Sequence, residues 1–275
     1  MAWCYRGSKL DFIGIISTRT GIPASVLAGR TKLRECSVAE RLSWAAKKET
    51  TRPEDTAYCL FGLFSVNMPL PYGEGMKASR RLQEEIIKIN NDLTIFAWEA
   101  PKPYDKTAFK LFAETPAAFV DSCKMRPFGD DCEDFSVRNK GLFVSGEVPL
   151  REVSIVLPDI NHQISRYALF VGYSTKHNEA PDGGIYLRKI GPKLFVRDLT
   201  LPLAGFGDPN FDQLRVLDNM TDYYILTDPK PNISPCSFRS CALHVPHNTT
   251  FELEDAVPET LWDVTDRVFL KSKTL

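Results

Sequence analysis

The feature that most restricts what this chain can fold into is a change in hydrophobic rhythm near residue 100. Before it, apolar residues recur three and four apart; after it, they alternate. Side chains three or four apart share a helix face, whereas alternate side chains share a sheet face. The two rhythms occupy separate blocks and are not interleaved. That points to an α+β fold, with a helical N-terminal third over residues 1–100 and a mainly antiparallel β domain, a sandwich or barrel, over residues 101–275. At 275 residues the chain is long enough to bury about three quarters of its unfolded surface.

The helical block carries its own start and stop signals. Ser37-Val38-Ala39-Glu40 has the form of a capping box, followed by Val38, Leu42, Ala45 and Ala46 at helical spacing and by Lys47 and Lys48 at the negative end. Pro53 suits the first position of a second helix, with Glu54 and Asp55 behind it. That helix is apolar on most sides from Ala57 to Phe64 and reads as buried. Asn67 to Gly75 is a turn-rich connector, because the residues before Pro69 and Pro71 are pushed out of helical angles. A third helix is expected from Met76 to Ile89. Its core stripe is Met76, Ser79, Leu82 or Gln83, Ile86 and Ile89, and Arg80 and Arg81 reach Glu84 and Glu85 on its wet face. Leu93 to Trp98 reads as a strand.

In the second block, eight short strands are expected: 135–137, 142–148, 155–157, 167–173, 185–190, 194–198, 214–216 and 223–226. Asn139-Lys140-Gly141, Pro181-Asp182-Gly183-Gly184 and Gly191-Pro192 mark turns between them. Residues 259–275 offer a final strand.

Composition removes several classes. Lys and Arg total 34 against 35 Asp and Glu, with none of the basic excess of a nucleic-acid binder. No stretch approaches the ~20 apolar residues of a membrane span, so no membrane partner is expected. The first residues lack the basic start, apolar run and cleavage site of an export signal. The expected location is therefore cytoplasmic, with the seven scattered cysteines reduced. The sequons at Asn219, Asn232 and Asn248 are then coincidental.

Few motifs suggest chemistry. Gly73-Glu74-Gly75-Met76-Lys77-Ala78 has the G-x-G-x-x-A form of a dinucleotide loop and opens a helix. Prolines stand where a buried strand should precede it, however, and Glu74 puts a negative charge among the phosphates, so a turn and helix cap fit better and no cofactor is expected. Cys236, Cys241, His244 and His247 are the candidate metal ligands, since thiolate and imidazole suit zinc. Their packing into one segment is unusual for zinc, and the alternation of Cys241, Leu243 and Val245 also reads as a buried strand. Asp130, Asp131, Glu133 and Asp134 form an acidic run without the spacing of a calcium loop, as does Asp208 to Asp212. His162 and His177 sit in polar stretches. No nucleophile elbow and no phosphate-loop lysine are present, and no catalytic residue is assigned.

Two stretches carry a resemblance. One is Ser37 to Ala45, continuing through Thr50-Thr51-Arg52-Pro53-Glu54-Asp55-Thr56-Ala57-Tyr58-Cys59-Leu60-Phe61-Gly62. The other is Met68-Pro69-Leu70-Pro71-Tyr72-Gly73-Glu74-Gly75 with Arg81-Leu82-Gln83-Glu84-Glu85-Ile86. In that order and spacing they resemble the segment that follows the heterokaryon-incompatibility (HET) domain of filamentous-fungal proteins. Ile95 to Trp98 fits the ending of that pattern, and Thr20-Gly21-Ile22 resembles the end of the HET domain itself. The resemblance implies a chain that retains the end of that domain and the β-rich region downstream, without its N-terminal half. It also implies a role in non-self recognition and cell-death signalling, as a non-enzymatic regulatory or interaction module with protein partners or self-association. An enzyme or small-ligand binder with a site in or beside the β-rich domain is the alternative.

Overall fold

The computed structural model describes residues 7–100, 110–122, 125–128, 134–145, 150–157, 162–174, 183–191, 193–205, 215–216, 222–229, 242–244, 261–263 and 268–270. Its first block is helical and its second is a mostly antiparallel sheet, the α+β arrangement that the rhythm change predicts.

A 3₁₀ turn at Lys9–Phe12 leads into α1 (Ile13–Thr20), which Gly21 ends in the left-handed conformation at φ 75°. Helix α2 (Ala24–Leu27) and a 3₁₀ turn at Leu33–Glu35 follow. Helix α3 (Val38–Ser43) starts at Ser37, whose hydroxyl accepts the Glu40 N–H at 3.0 Å. The return half of the capping box is replaced, because the Glu40 carboxylate turns to the Cys36 thiol. The second expected helix is divided. α4 (Pro53–Tyr58) ends at Cys59, and α5 (Phe61–Phe64) begins one residue beyond Leu60. Only one side of this pair is covered: Ala57, Leu60 and Phe64 are buried while Cys59 and Gly62 are exposed.

Helix α6 (Lys77–Ile89) buries Ala78, Leu82, Gln83, Ile86 and Ile87. Met76 and Ile89, expected in its stripe, are exposed, because they lie before the helix and in its last turn, past the core. Residues 93–98 form a 3₁₀ turn at Leu93–Phe96 and not a strand. The Asp92 carboxylate accepts the Thr94 N–H at 2.8 Å and curls the chain at the point where a strand would have to extend.

All eight expected strands have counterparts. The sheet comprises β1 (Met125–Arg126), β2 (Phe135–Arg138), β3 (Gly141–Val144), β4 (Leu150–Leu157), β5 (His162–Ser174), β6 (Gly183–Gly191), β7 (Leu194–Arg197), β8 (Ala204–Gly205), β9 (Arg215–Val216) and β10 (Tyr223–Ile225). Its order is β2-β3-β10-β7-β6-β5-β4-β9, with β1 on β5 and β8 on β6. Every pairing is antiparallel except β10 with β7. The end strands are not paired with each other among the described residues, so the sheet is open. A separate sheet joins β11 (Ala242–His244), β12 (Trp262–Asp263) and β13 (Val268–Leu270) in the order β11-β13-β12.

The main core runs across residue 100. It includes Leu42, Leu60, Leu82, Ile86 and Phe96 from the first block and Leu142, Leu169, Leu187, Phe195 and Ile225 from the sheet. The opposite face of the sheet holds a smaller cluster of Ala168, Phe170, Tyr186 and Ala204. Residues 166–172 of β5 and 183–189 of β6 are thus buried on both faces.

Candidate interaction site

The motif that carries the resemblance folds into a clasp between α4 and α6. Pro53 supplies the fixed φ that opens α4 and places Glu54 in its first turn. The Glu54 carboxylate is buried and accepts the Gly73 N–H at 2.8 Å. That bond and one from its own backbone N–H hold its carboxyl below the usual carboxylate range. One turn on, the Tyr58 hydroxyl donates to Glu74 Oε1 at 2.7 Å and lies 3.1 Å from the Pro71 carbonyl. Burial, reinforced by the Glu74 carboxylate, pushes the Tyr58 hydroxyl up to about 12.

From the other side, Arg81 of α6 grips both Glu74 oxygens through Nη1, at 2.6 and 2.7 Å, and donates from Nη2 to the Pro69 carbonyl at 3.1 Å. Burial alone would raise the Glu74 carboxyl, but the Arg81 and Tyr58 bonds outweigh it and hold the group low. Arg81 therefore turns back to Glu74 and away from the expected Glu85, which pairs with Lys88 at 2.5 Å. The Arg80–Glu84 pair forms as expected at 2.8 Å. Gly73 and Gly75 take φ values of 92° and 59°, which glycine adopts without penalty.

This arrangement excludes the dinucleotide reading on geometry. The Gly73 N–H that would face a pyrophosphate is already given to Glu54, and Glu74 is locked to Arg81 inside the same loop. Arg52 lies over the Tyr72 ring at 5.0 Å. The start of α4 is tied to the loop by Glu54.

Two further polar sets were not legible as sites. In the helical block, Asp92 Oδ2 accepts the Val38 N–H at 2.7 Å and Thr94 Oγ1 accepts the Ala39 N–H at 3.1 Å, so distant residues cap α3. Arg41 lies over the Phe64 ring at 4.5 Å and donates to the Leu63 carbonyl at 3.0 Å. In the sheet, Asp198, which is 2% exposed, accepts Arg166 Nε at 2.5 Å and Arg188 Nη2 at 3.1 Å. Burial would raise this carboxyl, but the two arginines and Thr200 hold it low. The sequence signal for this set is the position of Arg166 and Arg188 directly beside the apolar runs 167–172 and 183–187.

Of the candidate metal ligands, Cys236, Cys241 and His247 lie outside the described residues, and His244 ends β11. Among the described residues, no group of three or more His, Cys, Asp or Glu side chains comes together to hold a metal. Asp130, Asp131, Glu133, His177 and the segment 208–212 also lie outside the described residues; Asp134 precedes β2 and His162 begins β5. Cys36 and Cys59 are free thiols, one buried and one exposed. Burial raises the Cys36 thiol to about 11, with the Glu40 carboxylate adding to it, which makes it a poor nucleophile. No helix of the described residues is long and apolar enough to cross a membrane.

Over 83 residues the chain is 51% identical to the vegetative incompatibility protein HET-E-1 of Podospora anserina. The matched stretch is 30% of this chain and 6% of that protein's length. The similarity links the chain to fungal vegetative incompatibility. No protein-family model matches the chain, and no solved structure does.

Proposed function

We propose that the chain is a non-enzymatic regulatory or interaction module of a heterokaryon-incompatibility-like protein, working in the cytoplasm through protein partners or through itself. The observation that carries this reading is the 51% identity over 83 residues to a vegetative incompatibility protein. The clasp chemistry agrees with it. Glu54, Tyr58, Glu74 and Arg81 spend their polar groups on one another and on loop backbone, which shapes a surface and leaves no poised acid, base or nucleophile among them.

The test is expression of the full chain in a filamentous-fungal host, scored for growth arrest and vital-dye uptake, with solution mass measured on the purified chain. Expression is expected to arrest growth or alter an existing incompatibility response. A quadruple substitution of Cys236, Cys241, His244 and His247 is expected to leave that effect in place. Colonies indistinguishable with and without expression, together with a monomer at the highest soluble concentration, would sink the reading. Loss of the effect in the quadruple variant, if it folds, would move the assignment to the metal-dependent alternative.

A further inference from the structure

The large sheet ends at β2, and the chemistry of that end is complementary to itself. Among the described residues, β2 pairs with β3 alone and its other edge pairs with nothing. The Asp134 carbonyl accepts the Ser145 N–H at 3.1 Å, which fixes the direction of the backbone groups along the strand. Alternate residues of an antiparallel strand turn both polar groups to the same neighbour. Asp134, Ser136 and Arg138 therefore bond toward β3, and Phe135 and Val137 turn their N–H and C=O groups to the open edge. The side chains add a sign. Asp134 and Arg138 are exposed and share the outer face with Ser136, whereas Phe135 and Val137 pack on the core. Arg138 is held there by the Phe143 ring, 3.6 Å from its guanidinium, and its Nε donates to Ser136 Oγ at 3.3 Å. Four residues of strand separate Asp134 from Arg138 by about 13 Å, too far for them to pair with each other. Neither makes an ion pair among the described residues.

We propose that β2 is the interface of a two-fold dimer, in which it pairs antiparallel with β2 of a second copy about Ser136. The proposal rests on the interaction-module reading and names the surface through which the chain would meet itself. In that register Asp134 faces Arg138 of the second copy, and Arg138 faces its Asp134. Phe135 and Val137 lie opposite each other across the two copies and exchange the backbone bonds that β3 leaves unused. The register that joins the opposite charges is thus one that the open N–H and C=O groups allow. The charge pairs fall at positions without direct backbone bonds, where Cα atoms approach to ~4.5 Å and side chains interact most closely. Exposed charges ordinarily keep a sheet edge from recruiting other strands. An inverted copy of this strand turns the same charges into an attraction.

The test is sedimentation equilibrium of the full chain over a range of concentrations. A reversible dimer is expected, weakened by salt because its charge pairs are exposed. Asp134→Arg and Arg138→Asp each set like charges opposite one another twice per dimer and should weaken association about tenfold or more. Mixed in equal amounts, the two variants should dimerise again, since each supplies the charge that the other lacks. Lys47→Glu, an exposed reversal in the helical block, should leave the dimer unchanged. All three positions are exposed, so unchanged melting temperatures will show that the variants fold. A monomer at every concentration, a dimer that survives both reversals, or two weakened variants that do not recover on mixing overturns the proposal. The growth assay on the unsubstituted chain separates the two levels. A monomer that still arrests growth sinks only the β2 pairing, whereas a monomer without arrest sinks the module reading beneath it.

Discussion

The two halves of the molecule use charge in opposite ways. In the helical block, charged side chains satisfy the backbone of irregular segments: Asp92 caps Val38, Arg41 holds the Leu63 carbonyl, Glu54 holds the Gly73 N–H and Arg81 holds the Pro69 carbonyl. In the sheet, where backbone groups already pair between strands, Arg166 and Arg188 pair with Asp198 instead. Short helices joined by long turns leave many backbone groups without partners, and side chains must meet them. A long-stranded sheet has fewer such groups, so Arg166, Arg188 and Asp198 balance one another, while Arg197 meets carbonyls of the helical block. Loss of a charge should therefore loosen a path in the first half and strand an opposite charge in the second.

The largest test of that contrast is Asp198→Asn. It removes the carboxylate that Arg166 and Arg188 share and is expected to cost about 3–5 kcal/mol in urea unfolding. Acid should act on the same group. Its carboxyl titrates below the ordinary value of about 4, so its contribution is complete above that value and drains as pH falls through the lower, folded one. The variant should lose less stability than the parent between pH 5 and the acid range. Asp92 and Glu40 have the opposite sign, since burial raises both carboxyls and their protonation on acidification relieves a cost. A parent chain whose melting temperature does not fall in acid would break the account of Asp198.

Next is Leu82→Ala, expected to cost about 3 kcal/mol as a buried truncation. Because Leu82 belongs to the core that both halves share, helical circular dichroism and aromatic near-ultraviolet signals should shift to one common midpoint. Two separate midpoints would show that the halves differ in cooperativity as well as in electrostatics. Arg81→Met should cost less, about 1–2 kcal/mol for lost hydrogen bonds to a charged group. Its signature is local: hydrogen exchange at Gly73 should speed up while β5 and β6 amides keep their protection. Smallest are two glycines. Gly73→Ala, at φ 92°, is expected to destabilise by about 1 kcal/mol. Gly62→Ala, in open space on α5, should be neutral or gain up to about 1 kcal/mol from helix propensity. If both glycines behaved alike, the loop strain assigned to Gly73 would be refuted.

Much of this architecture could be read before the structure, for identifiable reasons. The strands announced themselves through alternation, and α6 through its three-and-four spacing, because both signals depend on residues near in sequence. Leu93 to Phe96 failed because its shape is set by Asp92, whose side chain also reaches Val38, a contact no local pattern contains. Arg81 was assigned to Glu85 by helical spacing, yet Glu74, before the helix begins, offers a better-buried carboxylate and a bond from Tyr58 as well. The candidate site was visible as a motif but not as a mechanism of shape. The charged letters around Pro69 to Gly75 read as helix punctuation, whereas they form one connected set across two helices.

Arg197, buried in β7, lies over the Trp98 ring at 4.0 Å and donates to the Phe96 carbonyl at 3.0 Å and to the Trp98 carbonyl. Those partners precede it by about a hundred residues. At roughly 5–20 residues per second, a ribosome that has just released Trp98 needs on the order of 5–20 s to deliver Arg197. Through that interval the Trp98 carbonyl lacks the Arg197 donor, the Phe96 carbonyl keeps only the local Trp98 N–H, and the helical half of the core faces water. The N-terminal third is thus a segment that waits during synthesis, and its need for a chaperone should end with the emergence of β7.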